Sequence, residues 1–385
     1  MKLPEEIGYI FAGLESRGHE AFIVGGCVRD IIMGKTPHDY DITTSAKTDE
    51  IIAAFQKHHI ITNGLKHGTV TVVINKKPYE ITTYRADGQY SDNRHPENVF
   101  FVTSIEEDLK RRDFTVNSMA YNPKRGIVDL YGGVRDIENK LIRCVGSPDI
   151  RFNEDGLRIM RALRFASVLD FEIEEETALS VKRNKELLKN ISVERIYSEL
   201  IKTVMGNPDK VLNEFREVFE YILPGISING NIDSSAPDKC VRLALLSENG
   251  GISLKKLKAD NNTGNTVREI LAFFENEISD PAILRLTAGK LKYASFAQIE
   301  GFSASCVRFS KYYPFVSGEF KKITGDGECI SEKQLAVRGN DVIALGISPE
   351  ETGRYLKAIL VKVIKKELPN DAERILNYLR QIKNL

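Results

Sequence analysis

The chain has 385 residues, with 54 Lys and Arg against 54 Asp and Glu and 42% apolar side chains. That length exceeds one ordinary domain and suits two to four. Balanced charge excludes a chain-wide basic character but leaves room for a local basic face that meets nucleic acid. All six His lie at or before His95, which argues against His-dependent hydrolase chemistry in the later three quarters. Five scattered Cys with no CxxC pair suggest neither a zinc site nor a disulfide framework. Without an apolar leader or an 18-residue apolar run, the expectation is a cytoplasmic protein with no membrane partner.

Leu3 to Arg17 carries helical spacing, and Ala21–Val24 reads as a short strand running into Gly25-Gly26. A helix is expected over Val28–Met33, ending at Gly34. Strands are expected over Tyr40–Thr43, Thr69–Ile74 and Tyr79–Tyr84. Such a mixture predicts one mixed sheet with helices packed on it. From about Asp155 the periodicity is helical almost throughout. Helices are expected over Leu157–Leu169, Glu175–Lys189, Val193–Met205 and Lys210–Phe219, with a Gly-, Asn- and Ser-rich linker over Gly225–Pro237. Further helices are expected over Asp238–Ser247, Thr266–Ile278, Pro281–Lys292, Glu332–Ala336, Ser348–Lys366 and Asp371–Lys383.

Two clusters carry chemistry. Gly25 and Gly26 stand between a strand and a helix, where backbone N–H groups can hold phosphates, with Arg29 on the first helical turn as a further contact. Taken alone, a tight turn with a solvated Arg explains the same residues. Asp39 and Asp41 are two apart at the expected start of a strand, so alternation puts both carboxylates on one face. That suits Mg²⁺, a hard cation that prefers oxygen ligands and phosphate, although a surface turn with two solvated Asp is the plain alternative.

The combination of Gly25-Gly26-x-x-Arg29-Asp30 with Asp39-x-Asp41 resembles the class II tRNA nucleotidyltransferases (CCA-adding enzymes) and the related bacterial poly(A) polymerases, of the DNA polymerase β-like superfamily. The resemblance continues in the loop Tyr84–Val102, in Asp108–Asn117 and in Asp129–Asp136. It extends through Glu154-Asp155-Gly-Leu-Arg158-Ile-Met-Arg161-Ala-Leu-Arg164 and Val193-Glu-Arg195-Ile, and is weaker over Val337–Gly346. It implies an α+β architecture: a small mixed-sheet head over 1–140, then an elongated helical neck over 141–205, body over 206–290 and tRNA-binding tail over 291–385. It also implies attack of a tRNA 3′-hydroxyl on the α-phosphate of CTP or ATP, with Mg²⁺ on Asp39 and Asp41, and Arg112 on the phosphates. Glu80 is a candidate third carboxylate or proton acceptor, and Asp113 a residue that orients Arg side chains.

Asp155 and Arg158 are three apart in an expected helix and would share a face. A carboxylate accepts and a guanidinium donates, which matches the amino group and ring acceptor of cytosine and adenine and mismatches uracil and guanine. The plain alternative is a surface ion pair. Arg161 and Arg164 extend the stripe, and three cations in a row invite an anion. Gly156 departs from the Ala expected in this motif and would cost about 1 kcal/mol inside a helix.

Three activities share these motifs: full CCA addition, partial CC or A addition, and polyadenylation. By the resemblance, Arg85, Asp92, Arg94 and Pro96 at the loop's spacing argue against a CC-only enzyme, and the lack of an Arg-rich run after the last helix argues against polyadenylation, while A-only addition stays open. A tRNA-binding protein without activity would be expected to have lost Asp39, Asp41 or Arg158. No DNA partner is expected. The charge is unevenly shared: residues 216–385 carry 24 basic and 21 acidic side chains, a slight excess that suits holding an RNA backbone.

Overall fold

Ala21–Val24 forms a fully buried strand, β1, and the first part of the chain builds a seven-stranded mixed sheet around it. The structure is a computed structural model that describes residues 3–87, 99–228, 231–248, 253–275 and 278–383. Strand β2 (Ile42–Thr44) flanks β1 on one side, and β3 (His59–Ile61), β4 (Thr69–Ile74) and β5 (Lys77–Thr83) lie beyond β2, in the order β3-β4-β5-β2-β1. The other side of β1 is taken by two strands absent from the sequence reading, Met119–Asn122 and Gly126–Asp129. Within the described residues of this sheet only β2 and β5 pair in parallel, with Ile42 opposite Ile81. Alternation in β4 buries Val70, Val72 and Ile74 and leaves the Thr and Val between them half-buried, as one covered face requires.

Helices pack on this sheet because their apolar stripes need cover. The first, α1 (Glu5–Glu15), buries Ile7, Ile10, Phe11 and Leu14. The second, α2 (Gly26–Ile32), begins two residues earlier than its expected start at Val28. A short ribbon, Arg85–Asp87 paired with Val99–Phe101, forms the stems of the expected loop. Asp92, Arg94, His95 and Pro96 lie outside the described residues. Helix α3 (Ile105–Lys110) is capped by the Ser104 hydroxyl, which accepts from the N–H of Glu106. Helix α4 (Gly133–Glu138) is capped by Asp129, whose carboxylate accepts from Gly133 and Val134. At Gly133 a Cβ would stand 2.4 Å from the Thr115 carbonyl oxygen, so only Gly allows this approach.

The helical continuation runs through α5 (Pro148–Glu154), α6 (Leu157–Leu169), α7 (Glu175–Arg183) and α8 (Val193–Val204). The helix expected over Lys210–Phe219 is two, Pro208–Glu214 and Arg216–Ile222, broken at Phe215. Residues up to Ile222 form one compact unit and those from Leu223 a second, all-helical one. The expected linker at Gly225–Pro237 is irregular but packed: Ile226, Ile228, Ile232 and Ser235 are buried.

In the second unit the expected helices at Asp238–Ser247, Ser348–Lys366 and Asp371–Lys383 appear within two residues at either end. Glu332–Gln334 is a single 3₁₀ turn. Three helices among the described residues of this unit were not anticipated, Gly339–Ala344, Phe296–Ser305 and Tyr313–Gly325. Gly301, Gly318 and Pro314 blur the apolar period of the last two, although Ser295 and Gln298 form a legible capping box. Arg285 is buried in this unit and pairs with Glu319 and, at 2.6 Å, with Glu328.

Candidate active site

The site is built at the end of β1. Gly25 has φ +79°, a conformation that L side chains rarely adopt, and its N–H donates to the Met119 carbonyl at 3.1 Å. A Cβ on Gly25 would lie 3.2 Å from the Arg112 guanidinium, so the bare backbone is what lets Arg112 lie against this turn. Gly26 follows as the first residue of α2, and Arg29 lies one turn on. Arg29 donates to Asp30 at 2.8 and 2.9 Å and to Asn117 at 2.7 Å.

Asp39 and Asp41 lie in the extended segment just before β2, one to three residues short of the strand expected to carry them. The Val24 N–H donates to the Asp41 carbonyl at 3.0 Å, so the pairing of β1 reaches Asp41 and brings it beside the Gly25 turn. Loss of surrounding water and then the charge of Asp39 push the Asp41 carboxyl above the usual carboxylate range. Arg112 opposes this, and Glu80 adds to it. Glu80 is exposed on β5, next to the Ile81 that faces Ile42. Among the described residues, no group of three or more His, Cys, Asp or Glu side chains is arranged to hold a metal ion. Cys27, also close, is no nucleophile, since burial and then Asp41 push its thiol up to about 11.

Arg112 is held from below. Asp108 is fully buried and accepts from Arg112 at 3.0 Å and from Arg111 at 3.0 and 3.1 Å. The Arg112 Nε is buried without a hydrogen-bond partner among the described residues. Burial alone would raise the Asp108 pKa, but the charges and hydrogen bonds of Arg112 and Arg111 outweigh it and hold the carboxyl low. Asp108 opens the Asp108–Asn117 segment, but nothing in the sequence marks it as the buried anchor of both Arg.

The expectation for Asp155 and Arg158 needs correction. Asp155 is not inside a helix. It has an extended backbone at the break between α5 and α6, where its carboxylate accepts from the Leu157 N–H at 3.0 Å and pairs with Arg195 at 3.1 Å. Arg158 is buried and pairs with Glu154, and it donates to the Arg111 and Arg151 carbonyls, each at 3.2 Å. The two side chains are therefore set by different partners, not by a shared helix face. Gly156 stands at the start of α6 rather than in its interior, so the helix-interior cost does not apply. A Cβ there would press on Leu187 at 3.1 Å.

Arg161 and Arg164 do lie along α6, but the stripe of cations is not left uncompensated. Arg161 pairs with the buried Asp113 at 2.6 Å, and Arg164 with the buried Glu199 at 2.6 Å. Arg195, on α8, carries a buried Nη1 with no hydrogen-bond partner among the described residues. Its place in Val193-Glu-Arg195-Ile is visible in the sequence, but its contact with Asp155, forty residues away, is not.

A Gly turn and two nearby carboxylates at the end of a mixed sheet, with a bank of part-buried guanidiniums around them, define a nucleotidyltransferase. Residues 21–143 match the family described as Poly A polymerase head domain, and residues 170–228 the one described as Probable RNA and SrmB- binding site of polymerase A. The chain is 34% identical to the CCA-adding enzyme of Lactococcus lactis subsp. cremoris over 100% of its own length and 98% of that protein's. It is 51% identical to the CCA-adding enzyme of Lactobacillus helveticus over 50% of this chain and 48% of that one. The crystal structure of the Bacillus stearothermophilus CCA-adding enzyme in complex with CTP is 31% identical and matches with a TM-score of 0.80, covering 100% of this chain and 98% of that one. This chain belongs to the CCA-adding enzyme family. Membership carries dependence on a divalent metal. The donor set fits one, because Asp41 is crowded by like charge that a cation would relieve. No helix among the described residues is long and apolar enough to cross a membrane.

Proposed function

We propose that this chain acts in the cytoplasm, adding C, C and A without a template to the 3′ end of tRNA from CTP and ATP and releasing pyrophosphate. The observation that carries this reading is the meeting of Asp41, the Gly25 turn and Arg112 at the end of β1. Kinship with the Lactococcus lactis protein over the whole chain narrows it from nucleotidyl transfer in general to CCA addition. Within it, residues 1–140 act as catalytic head, 141–205 as nucleotide-selecting neck, 206–290 as body and 291–385 as tRNA-binding tail.

In this mechanism Asp39 and Asp41 would hold Mg²⁺, a hard cation that prefers oxygen ligands. Bound there, Mg²⁺ supplies charge neutralisation at the reacting phosphates. Gly25 and Gly26 offer backbone N–H groups to the triphosphate, and Arg29, Arg112, Arg161 and Arg164 offer guanidinium donors. The unfilled Arg112 Nε supports this, since buried donors are seldom left unpaired. Glu80 accepts the proton of the 3′-hydroxyl, a role supported by its influence on Asp41. Asp155 and Arg158 read the base, accepting from its amino group and donating to its ring nitrogen. Uracil and guanine present the opposite polarity, at a cost of about 1–3 kcal/mol per unpaired buried group.

The test is incubation with tRNA ending at the discriminator base, at C and at CC, with labelled CTP or ATP. Extension of all three to a single CCA end is expected. Extension of only the CC-ended tRNA, or a long A tract, would replace this reading with A-only addition or polyadenylation.

A further inference from the structure

Phe165, on α6, is buried and carries no polar atom, yet three guanidiniums gather on it. Arg164 lies 3.9 Å from the ring centroid, Arg161 5.4 Å and Arg29 5.6 Å. The three come from two separate elements, α2 and α6, and have three separate sets of polar partners: Asp30 with Asn117, Asp113, and Glu199. The ring is what they share. It is itself set in place by Phe114, edge-on at 5.7 Å and 76°, on the segment that carries Asp113.

Three like charges around one point repel, and the repulsion registers at Arg164. Its pKa is lowered first by burial, with Glu199 opposing and with Arg161 and Arg29 contributing to the lowering. Carboxylates relieve that repulsion but occupy in-plane N–H donors. A ring face attracts a guanidinium through its quadrupole and occupies none. In this arrangement Arg161 keeps Nη1, and Arg164 keeps both Nη groups, unbonded to other described residues.

We infer that Phe165 is a positioning residue: its ring gathers Arg29, Arg161 and Arg164 with N–H edges left over for the triphosphate of the incoming nucleotide. This rests on the proposed nucleotidyl transfer and deepens it. Because the ring acts on phosphate contacts alone, its loss weakens every triphosphate alike and leaves base choice untouched.

The experiment uses the full chain with Phe165→Leu, Phe165→Met and Phe165→Tyr. Inorganic tripolyphosphate, which has no base, is titrated calorimetrically with Mg²⁺ present, and KM and kcat are measured for CTP, ATP and UTP on tRNA. Expected is a roughly tenfold loss of tripolyphosphate affinity in F165L and F165M. CTP and ATP KM should rise by the same factor with the CTP-to-UTP preference unchanged, and F165Y, which keeps the ring face, should stay within about twofold of the parent. Should F165L not fold, F165M against F165Y carries the comparison. CMP and AMP incorporation by the parent tests the underlying reading separately. With that incorporation present, parent-like tripolyphosphate affinity in F165L or F165M, a fall of F165Y together with them, or a change of base preference instead of phosphate affinity overturns the inference.

Discussion

Asp41 and Asp155 are both carboxylates at the site, and their surroundings separate their work. Asp41 is crowded by Asp39 and Glu80 with one nearby guanidinium to offset them, a state that a cation improves. Asp155 is instead fastened at both oxygens, to the Leu157 N–H and to Arg195, which fixes its direction. Asp39→Ala or Asp41→Ala is therefore expected to abolish nucleotide addition while leaving tRNA affinity within a few-fold of the parent. Gel-shift and incorporation assays on the same preparation check both halves, and retained addition would sink the metal assignment. Arg195→Ala frees one oxygen of Asp155 without touching the base. Incorporation of UTP relative to CTP should rise by roughly tenfold, the ratio that about 1–2 kcal/mol of lost discrimination yields. An unchanged ratio would mean that Asp155 is held well enough by the helix start alone. Such pairs mark the limit of what the sequence reveals. Gly25-Gly26 and Asp39-x-Asp41 are legible because each cluster acts within a few residues. Glu154 and Glu199 are opaque as partners of the Arg stripe, and Asp113, expected to orient Arg side chains, gives no sign that Arg161 is the one, because the turn at Asp155 and the crossing of α8 decide who meets whom.

At the scale of elements, α3 matters less for its length than for Asp108, which it buries beneath Arg111 and Arg112. A lone carboxylate there would be expensive, and two guanidiniums make it tolerable. Asp108→Asn keeps the shape and removes the charge. It should destabilise the first unit by about 3–5 kcal/mol at pH 7, as breaking a buried ion pair does. The pH dependence has a definite sign. Because its pKa is depressed on folding, Asp108 contributes stability that is present above the unfolded value near about 3.9 and is lost as pH falls through the lower folded value. The gap between parent and D108N in urea unfolding should thus be full at pH 5 to 7 and shrink below about pH 4. A gap that stays constant down to pH 3 would show that the pair contributes no charge-dependent stability. The same elements show how periodicity fares as a guide. Helices with uninterrupted apolar stripes, such as α1 and α8, are readable to within two residues. Phe296–Ser305 and Tyr313–Gly325 hide because Gly and Pro interrupt the stripe, while neighbouring aromatic rings, Phe296 stacked on Phe320 at 4.2 Å among them, supply packing that no local pattern announces.

For the whole molecule, net neutrality is the sum of two opposite parts. Residues up to Ile222 hold 31 Lys and Arg against 35 Asp and Glu, and those from Leu223 hold 23 against 19. The acidic excess belongs to the unit proposed to handle nucleotide and metal, and the basic excess to the one proposed to hold RNA. Many of the first unit's cations are moreover committed: Arg29, Arg111, Arg112, Arg158, Arg161 and Arg164 all face carboxylates within the protein. They offer little general attraction to a polyanion at a distance. An enzyme that follows any RNA end would need strong nonspecific charge, whereas one that reads a compact folded shape does not. tRNA affinity should therefore fall by only about tenfold to a hundredfold between 50 and 200 mM salt, below the roughly 10³- to 10⁵-fold fall of proteins that neutralise many phosphates. Filter binding at the two salt concentrations, with an unstructured RNA of equal length as comparison, measures it. A fall of 10³ or more, or equal affinity for the unstructured RNA, would mean that charge rather than shape selects the substrate.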